Sequence, residues 1–158
     1  MPDESCKSGA LLSINELALS MIDCSDNLMT TLMLGRAGGA DRLYVNIDRV
    51  CPGGKSCKFH SHSKQEEYFL VLKGKGILRL GDQVLAVEQG NFFCKPAGIG
   101  LAHQFINDSD EILEILDVGL PDLEDVIYYP DENVQLEKAT SRAYRDGELL
   151  QDWSSSAN

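Results

Sequence analysis

The chain contains only three histidines, and two of them, His60 and His62, stand one residue apart in the stretch KFHSHSKQEEYFLVLKG, Lys58 to Gly74. Neutral imidazole is the commonest side-chain ligand for transition metals. In an extended strand, residues two apart project to the same face, so His60 and His62 point together, as two ligands of one ion must. Two carboxylates, Glu66 and Glu67, follow at the next turn, and spacing alone does not choose between them. The third histidine, His103, opens a further extended segment, HQFIND, well downstream. Three imidazoles and one carboxylate converging inside a fold make a site for one divalent transition metal: Fe, Mn, Ni or Zn. Such a set leaves one or two positions of a five- or six-coordinate ion open to water, dioxygen or a substrate oxygen.

Other side chains are candidates for handling a substrate. Lys58 shares strand parity with His60 and His62, so it is expected to face the same pocket and meet an anionic group. Lys95, immediately before Pro96, and Tyr44 are read as further substrate-binding candidates. Tyr68 is a second candidate proton donor, although strand tyrosines more often serve packing. Cys57, three residues before His60, falls on the opposite face by simple alternation, which argues against a Cys-x-x-His ligand pair. Cys51, Cys57 and Cys94 read as small buried hydrophobes. Phe59, Phe69, Val71, Phe93 and Phe105 read as core, some of them lining a mostly apolar pocket.

The elements that must position these groups are short strands. RLYVNIDRV (Arg42 to Val50), EYFLVLKG, GILRLGDQVLAVEQG, NFFCKPAG, HQFIND and EILEILDVG recur at the spacing of a sandwich or barrel. CPGGKS (Cys51 to Ser56) is a turn by composition, and Gly81-Asp82 marks a hairpin. Residues 1–33 read as an N-terminal arm, 34–120 as the barrel, and 121–158 as an acidic C-terminal extension, partly helical by pattern, that decorates the barrel surface. The apolar stretch INELALSMI in the arm is suited to covering a sheet edge of a second subunit, which predicts a homodimer.

At 158 residues and 43% hydrophobic content the chain is long enough for one well-buried core. Its net charge of −11 repels phosphate backbones and anionic lipid, so neither nucleic acid nor membrane is expected as a partner. The acidic start lacks a basic region ahead of an apolar one, and five cysteines do not form an even framework. A cytoplasmic protein with reduced thiols is the expectation.

These residues resemble the paired motifs of the cupin superfamily. The first motif runs glycine, five residues, His-x-His, three or four residues, glutamate, six residues, glycine. Here Gly54, KSCKF, His60-Ser61-His62, SKQE, Glu67, YFLVLK and Gly74 stand in that order. The second runs glycine, five residues, Pro-x-Gly, two residues, histidine, three residues, asparagine. Here Gly90, NFFCK, Pro96-Ala97-Gly98, IGLA, His103, QFI and Asn107 follow it, with four residues in place of two before His103. The PAG-x-G-x-AH wording and LGRAGGADRL are similar to a subgroup of single-domain bacterial cupins, sugar-phosphate-isomerase-like.

The resemblance implies an all-β fold, a double-stranded β-helix or jelly-roll barrel, with an N-terminal arm and a short helical or irregular C-terminal segment. It selects Glu67 over Glu66 and implies metal ligation by His60, His62, Glu67 and His103. The implied activity is a metal-dependent enzyme acting on a small polar molecule, a sugar or sugar phosphate, by Lewis-acid catalysis. The alternatives are an iron-dependent dioxygenase and a non-catalytic module that binds a small ligand or senses metal. No fourth histidine is available as a general base.

Overall fold

A computed structural model describes residues 9–17, 24 and 28–158. Thirteen strands dominate it. They are β1 (Met29–Met33), β2 (Tyr44–Val50), β3 (Ser61–His62), β4 (Glu66–Lys73), β5 (Lys75–Leu80), β6 (Gln83–Glu88) and β7 (Phe92–Lys95). The remainder are β8 (His103–Ile106), β9 (Leu113–Leu120), β10 (Val126–Tyr129), β11 (Val134–Glu137), β12 (Arg142–Arg145) and β13 (Glu148–Leu150). One short helix, α1 (Leu34–Gly38), separates β1 from β2.

One face of the barrel is a five-stranded antiparallel sheet in the order β1-β2-β9-β4-β7. The other face is the three-stranded sheet β6-β5-β8. Isolated bridges Lys55–Ile106 and His60–His103 carry that second face on toward β3. Period-two burial along β4 turns Glu67, Phe69 and Val71 inward and leaves Glu66 exposed. Phe69, Val71, Leu78, Phe105, Leu113 and Ile115 fill the space between the faces. The expected all-β jelly roll is therefore the observed fold, and the hairpin at Gly81-Asp82 joins β5 to β6 with Gly81 at φ 56°.

The chain ends depart from expectation. The C-terminal region contains no helix: β10 to β13 form an antiparallel meander in a five-stranded sheet ordered β13-β12-β11-β10-β3. Asp146-Gly147, with φ of 52° and 83°, makes the last reversal, and both positive values suit a two-residue hairpin loop. Tyr129, Val134 and Ala143, flanked by Trp153, give this sheet its own small core. At the other end, β1 lies on the arm side of the expected boundary yet pairs with β2 from Met29↔Val50 to Met33↔Asn46. The arm stretch INELALSMI falls partly outside the described residues; within it Ile14–Glu16 form one 3₁₀ turn.

The cysteines also differ from expectation. Cys24 and Cys51 are joined in a disulfide. Cys94 is exposed, because it sits on the outward side of β7, and Cys57 is only half-buried. Among the described residues no helix is long and apolar enough to cross a membrane.

Candidate metal centre

The segment Cys51 to His60 is turn and irregular backbone, not strand, and it delivers His60 to the barrel by a backbone pair with His103. His103 N–H donates to the His60 carbonyl at 2.9 Å, and His60 N–H returns the bond at 3.2 Å. The two rings lie 4.8 Å apart between centroids. His62 follows on β3 and Glu67 on the inward side of β4. Residues in register on antiparallel strands share a face, so the pairing Glu67↔Lys95 sets the Lys95 side chain beside Glu67.

His60, His62 and Glu67 present donor atoms that all lie within 4.8 Å of one another. Nε2 of His60 is 3.1 Å from Nε2 of His62, which is 3.3 Å from Oε1 of Glu67. The other ring nitrogens are already engaged. His60 Nδ1 is 2.8 Å from the Lys58 carbonyl, and His62 Nδ1 is 2.5 Å from Oδ2 of Asp125. Both partners are acceptors, so each ring donates from Nδ1 and points its Nε2 inward. Two Nε2 atoms and a carboxylate oxygen then face one another at cis-ligand separations. Imidazole with carboxylate is a donor set for a divalent transition metal.

Asp125 came from an unexpected quarter. It belongs to the C-terminal extension, is 1% exposed, and also accepts from Ser63 Oγ (3.1 Å) and the Lys64 amide (2.8 Å). Its bond to His62 Nδ1 fixes tautomer and ring orientation, the role a carboxylate plays behind many metal-bound histidines. No strand pattern near Asp125 predicts this, since the contact spans two elements far apart in sequence.

His103 is placed differently from the other three. It joins a second close group with His60 and Cys57. Its Nδ1 lies 3.0 Å from the Lys95 ammonium, which is 2.5 Å from Oε2 of Glu67. Glu67 Oε2 makes no hydrogen bond of good geometry, so Lys95 balances it by charge alone. Burial would raise the Glu67 carboxyl, but the His62 contact and the Lys95 charge beside it outweigh that and hold the group well below the usual carboxylate range. Burial, with Lys95 nearby, carries His60 down to about 4 and His103 well below the ordinary imidazole value. Both rings therefore stay neutral, the form that metal binding requires.

A cavity of about 230 Å³ opens beside the trio. Its walls include Met29, Thr31, Asp48, Phe69, Phe105 and Asp117. Tyr44 hydroxyl lies 3.0 Å from both Glu67 Oε1 and Asp117 Oδ1, and Gln65 Nε2 donates to Glu67 Oε1 at 2.9 Å. Burial, then the charges of Asp48 and Glu67, pushes Asp117 up to about 8. Burial likewise pushes Asp48 up to about 6, against the pull of the Thr31 hydroxyl at 2.6 Å. Larger concavities exist, one of about 870 Å³ along Lys75, Glu88 and Asp108, but it shares no residue with the histidines.

The remaining candidates divide. Tyr44 and Lys95 reach the site. Lys58 does not: its ammonium pairs with Glu132 at 2.6 Å and lies 4.9 Å over the Trp153 ring, because the parity argument needs a strand and this segment is irregular. For the same reason Cys57 is not on the opposite face; its Sγ is 3.4 Å from His60 Nδ1, with the thiol pushed up to about 12 by burial. Asp48 and Asp117 were missed altogether, although each sits on an alternating strand whose inward side they share with core residues.

A family model described as a cupin domain matches residues 47–119. A sugar phosphate isomerase from Silicibacter pomeroyi is 28% identical with a TM-score of 0.67, covering 78% of this chain and 74% of that one. A proposed sugar phosphate isomerase from Acidithiobacillus ferrooxidans is also 28% identical, with a TM-score of 0.66, covering 77% and 74%. The polyketide cyclase RemF from Streptomyces resistomycificus is 27% identical with a TM-score of 0.52, covering 59% and 65%. No curated protein sequence matches the chain.

Proposed function

We propose that the chain, of which residues 47–119 match a cupin-domain model, is a metal-dependent enzyme acting on a small hydroxylated molecule in the 230 Å³ cavity. The carrying observation is the convergence of Nε2 of His60, Nε2 of His62 and the Glu67 carboxylate, all within 4.8 Å of one another. When bound there, the ion would supply Lewis acidity toward a carbonyl or hydroxyl oxygen. The chain's own residues supply the rest. Asp48 and Asp117 sit on the cavity wall with affinities for protons, about 6 and about 8, that allow each to give or take one near neutral pH. Tyr44 bridges Asp117 to Glu67 and orients both carboxyl groups. Phe69 and Phe105 keep the inner wall dry.

The likeness to two isomerases of sugar phosphates supports proton-transfer isomerisation of a sugar. The wall chemistry refines it. With Lys58 turned away and Asp48 and Asp117 lining the cavity, a neutral sugar suits the inner site better than a phosphate ester. A second reading, an iron-dependent dioxygenase, draws on the trio itself, because two histidines and one carboxylate are the facial set of non-haem iron oxygenases.

Elemental analysis of the purified protein, followed by NMR of sugars and sugar phosphates in D₂O, tests the first reading. Metal at one per chain with deuterium incorporated at the carbon next to the carbonyl is expected. Protein that binds no divalent transition metal sinks both readings, and oxygen uptake with bound iron favours the second. We also propose a homodimer, since β7 ends the five-stranded sheet among the described residues, and sedimentation at micromolar concentration should show twice the chain mass. The Cys24–Cys51 disulfide stands against the reduced cytoplasm read from the sequence. Alkylation of the protein in freshly lysed cells, with and without reductant, decides the compartment's redox state.

A further inference from the structure

We infer that Lys138, which directly follows β11 in the C-terminal meander, is a positioning residue of the candidate centre: it sets the side-chain amide of Gln65, and that amide holds Glu67 and Tyr44. The inference rests on the metal reading above and adds to it a residue outside 47–119, the part of the chain that matches the cupin-domain model.

Donors and acceptors fix the amide. The Lys138 ammonium donates to Oε1 of Gln65 at 2.7 Å. An ammonium cannot accept, so the carbonyl end of the amide faces it and the NH₂ end faces away. That NH₂ donates to Oε1 of Glu67 at 2.9 Å and to the Tyr44 hydroxyl at 3.3 Å. Turned by half a revolution, the amide would set its NH₂ against the ammonium and its carbonyl against the carboxylate. Gln65 is only 6% exposed, so water is poorly placed to replace a lost partner.

The meander places the lysine. Lys138 N–H donates to the Asp125 carbonyl at 3.1 Å, and the Gln65 backbone N–H donates to Oδ1 of Asp125 at 3.4 Å. Asp125 is also the partner of His62 Nδ1. One part of the fold thus reaches His62 through a carboxylate and Glu67 through a lysine acting on Gln65. β11 pairs with β10 and β10 with β3, so both contacts are carried on one sheet. Tyr44 is ordered by the same amide. With its oxygen accepting from Gln65, its single proton is left for Glu67 or Asp117, each at 3.0 Å.

The test reads Co(II) binding to the full chain by visible absorption, in a cycle of Lys138→Met and Gln65→Leu. Gln65→Leu should weaken Co(II) binding about 10- to 100-fold, and Lys138→Met about tenfold. Lys138→Arg, whose guanidinium also only donates, should stay within about threefold of the unaltered chain. In the Gln65→Leu background, Lys138→Met should change affinity by less than about twofold, because its effect passes through the missing amide. Equal losses in both backgrounds, no loss from Lys138→Met alone, or as large a loss from Lys138→Arg overturns the inference and leaves the metal reading intact. Failure of the unaltered chain to bind Co(II) overturns the metal reading and the inference with it. If Gln65→Leu does not fold, as the thermal midpoint of the metal-free protein would show, the contrast between Lys138→Met and Lys138→Arg decides the matter by itself.

Discussion

In the proposed centre, a carboxylate behind a histidine would do its work without touching the ion. Asp125 accepts the Nδ1 proton of His62 and is held by Ser63 and the Lys64 amide, so the ring has one orientation available. Asp125→Asn keeps the shape but weakens that acceptor, and metal affinity should fall about 10- to 100-fold, measured by chelator competition, with the thermal midpoint of the metal-free protein little changed. Asp117 offers a second test. Burial and the neighbouring Asp48 and Glu67 raise its carboxyl from 3.8 to about 8. The folded protein thus retains a proton that the unfolded chain gives up, so this group's contribution declines as pH rises from about 4 to about 8. Asp117→Asn mimics the protonated form and removes the decline. In metal-free protein the variant's thermal midpoint should gain on the unaltered chain between pH 5 and pH 9, at about 2–4 °C per kcal/mol. A constant gap across that range would refute the assignment.

Strand pairing decides which of these groups can meet. Tyr44 on β2 is in register with Gly119 on β9, and the missing side chain leaves room for the phenol to lie across the strand toward Glu67. A Cβ at Gly119 would come within 2.6 Å of the Tyr44 ring carbons, closer than any real contact. Gly119→Ala should therefore expel the ring, break its bonds to Glu67 and Asp117, and cost about 1–3 kcal/mol in urea titration. Tyr44→Phe, which keeps the ring, should lose much less stability. The C-terminal meander matters at the same scale. β10 pairs with β3 through Ile127↔His62, so an extension expected to decorate the surface is paired with the strand that carries His62.

Across the whole molecule, the Cys24–Cys51 disulfide ties the N-terminal segment to the end of β2, and it closes a separation of 27 residues. A loop of that size restricts the unfolded chain by about 3.5 kcal/mol in the chain-entropy account. Reduction, or Cys24→Ser, should lower the thermal midpoint by roughly 10 °C. Equal midpoints with and without reductant would mean that the bond contributes nothing. The half of the barrel that carries the candidate metal centre is thus braced from both termini, by the disulfide at one end and by Asp125 at the other.

The barrel was readable in advance because strand alternation is local, and the nearness of His60, His62 and Glu67 followed from the paired motifs, not from alternation, since His60 lies outside β3. Gly81-Asp82 and even the overlooked Asp146-Gly147 are signals of the same local kind. What the sequence could not show depends on through-space electrostatics between distant elements. Whether Lys95 faces Glu67 or solvent follows from cross-strand register, and which nitrogen of His62 is free follows from a carboxylate supplied 63 residues later. The parity arguments for Lys58 and Cys57 failed where the backbone leaves the strand, since alternation has no meaning in an irregular loop. Local chemistry named the donors; only the folded chain determined their protons, their neighbours and the space left beside them.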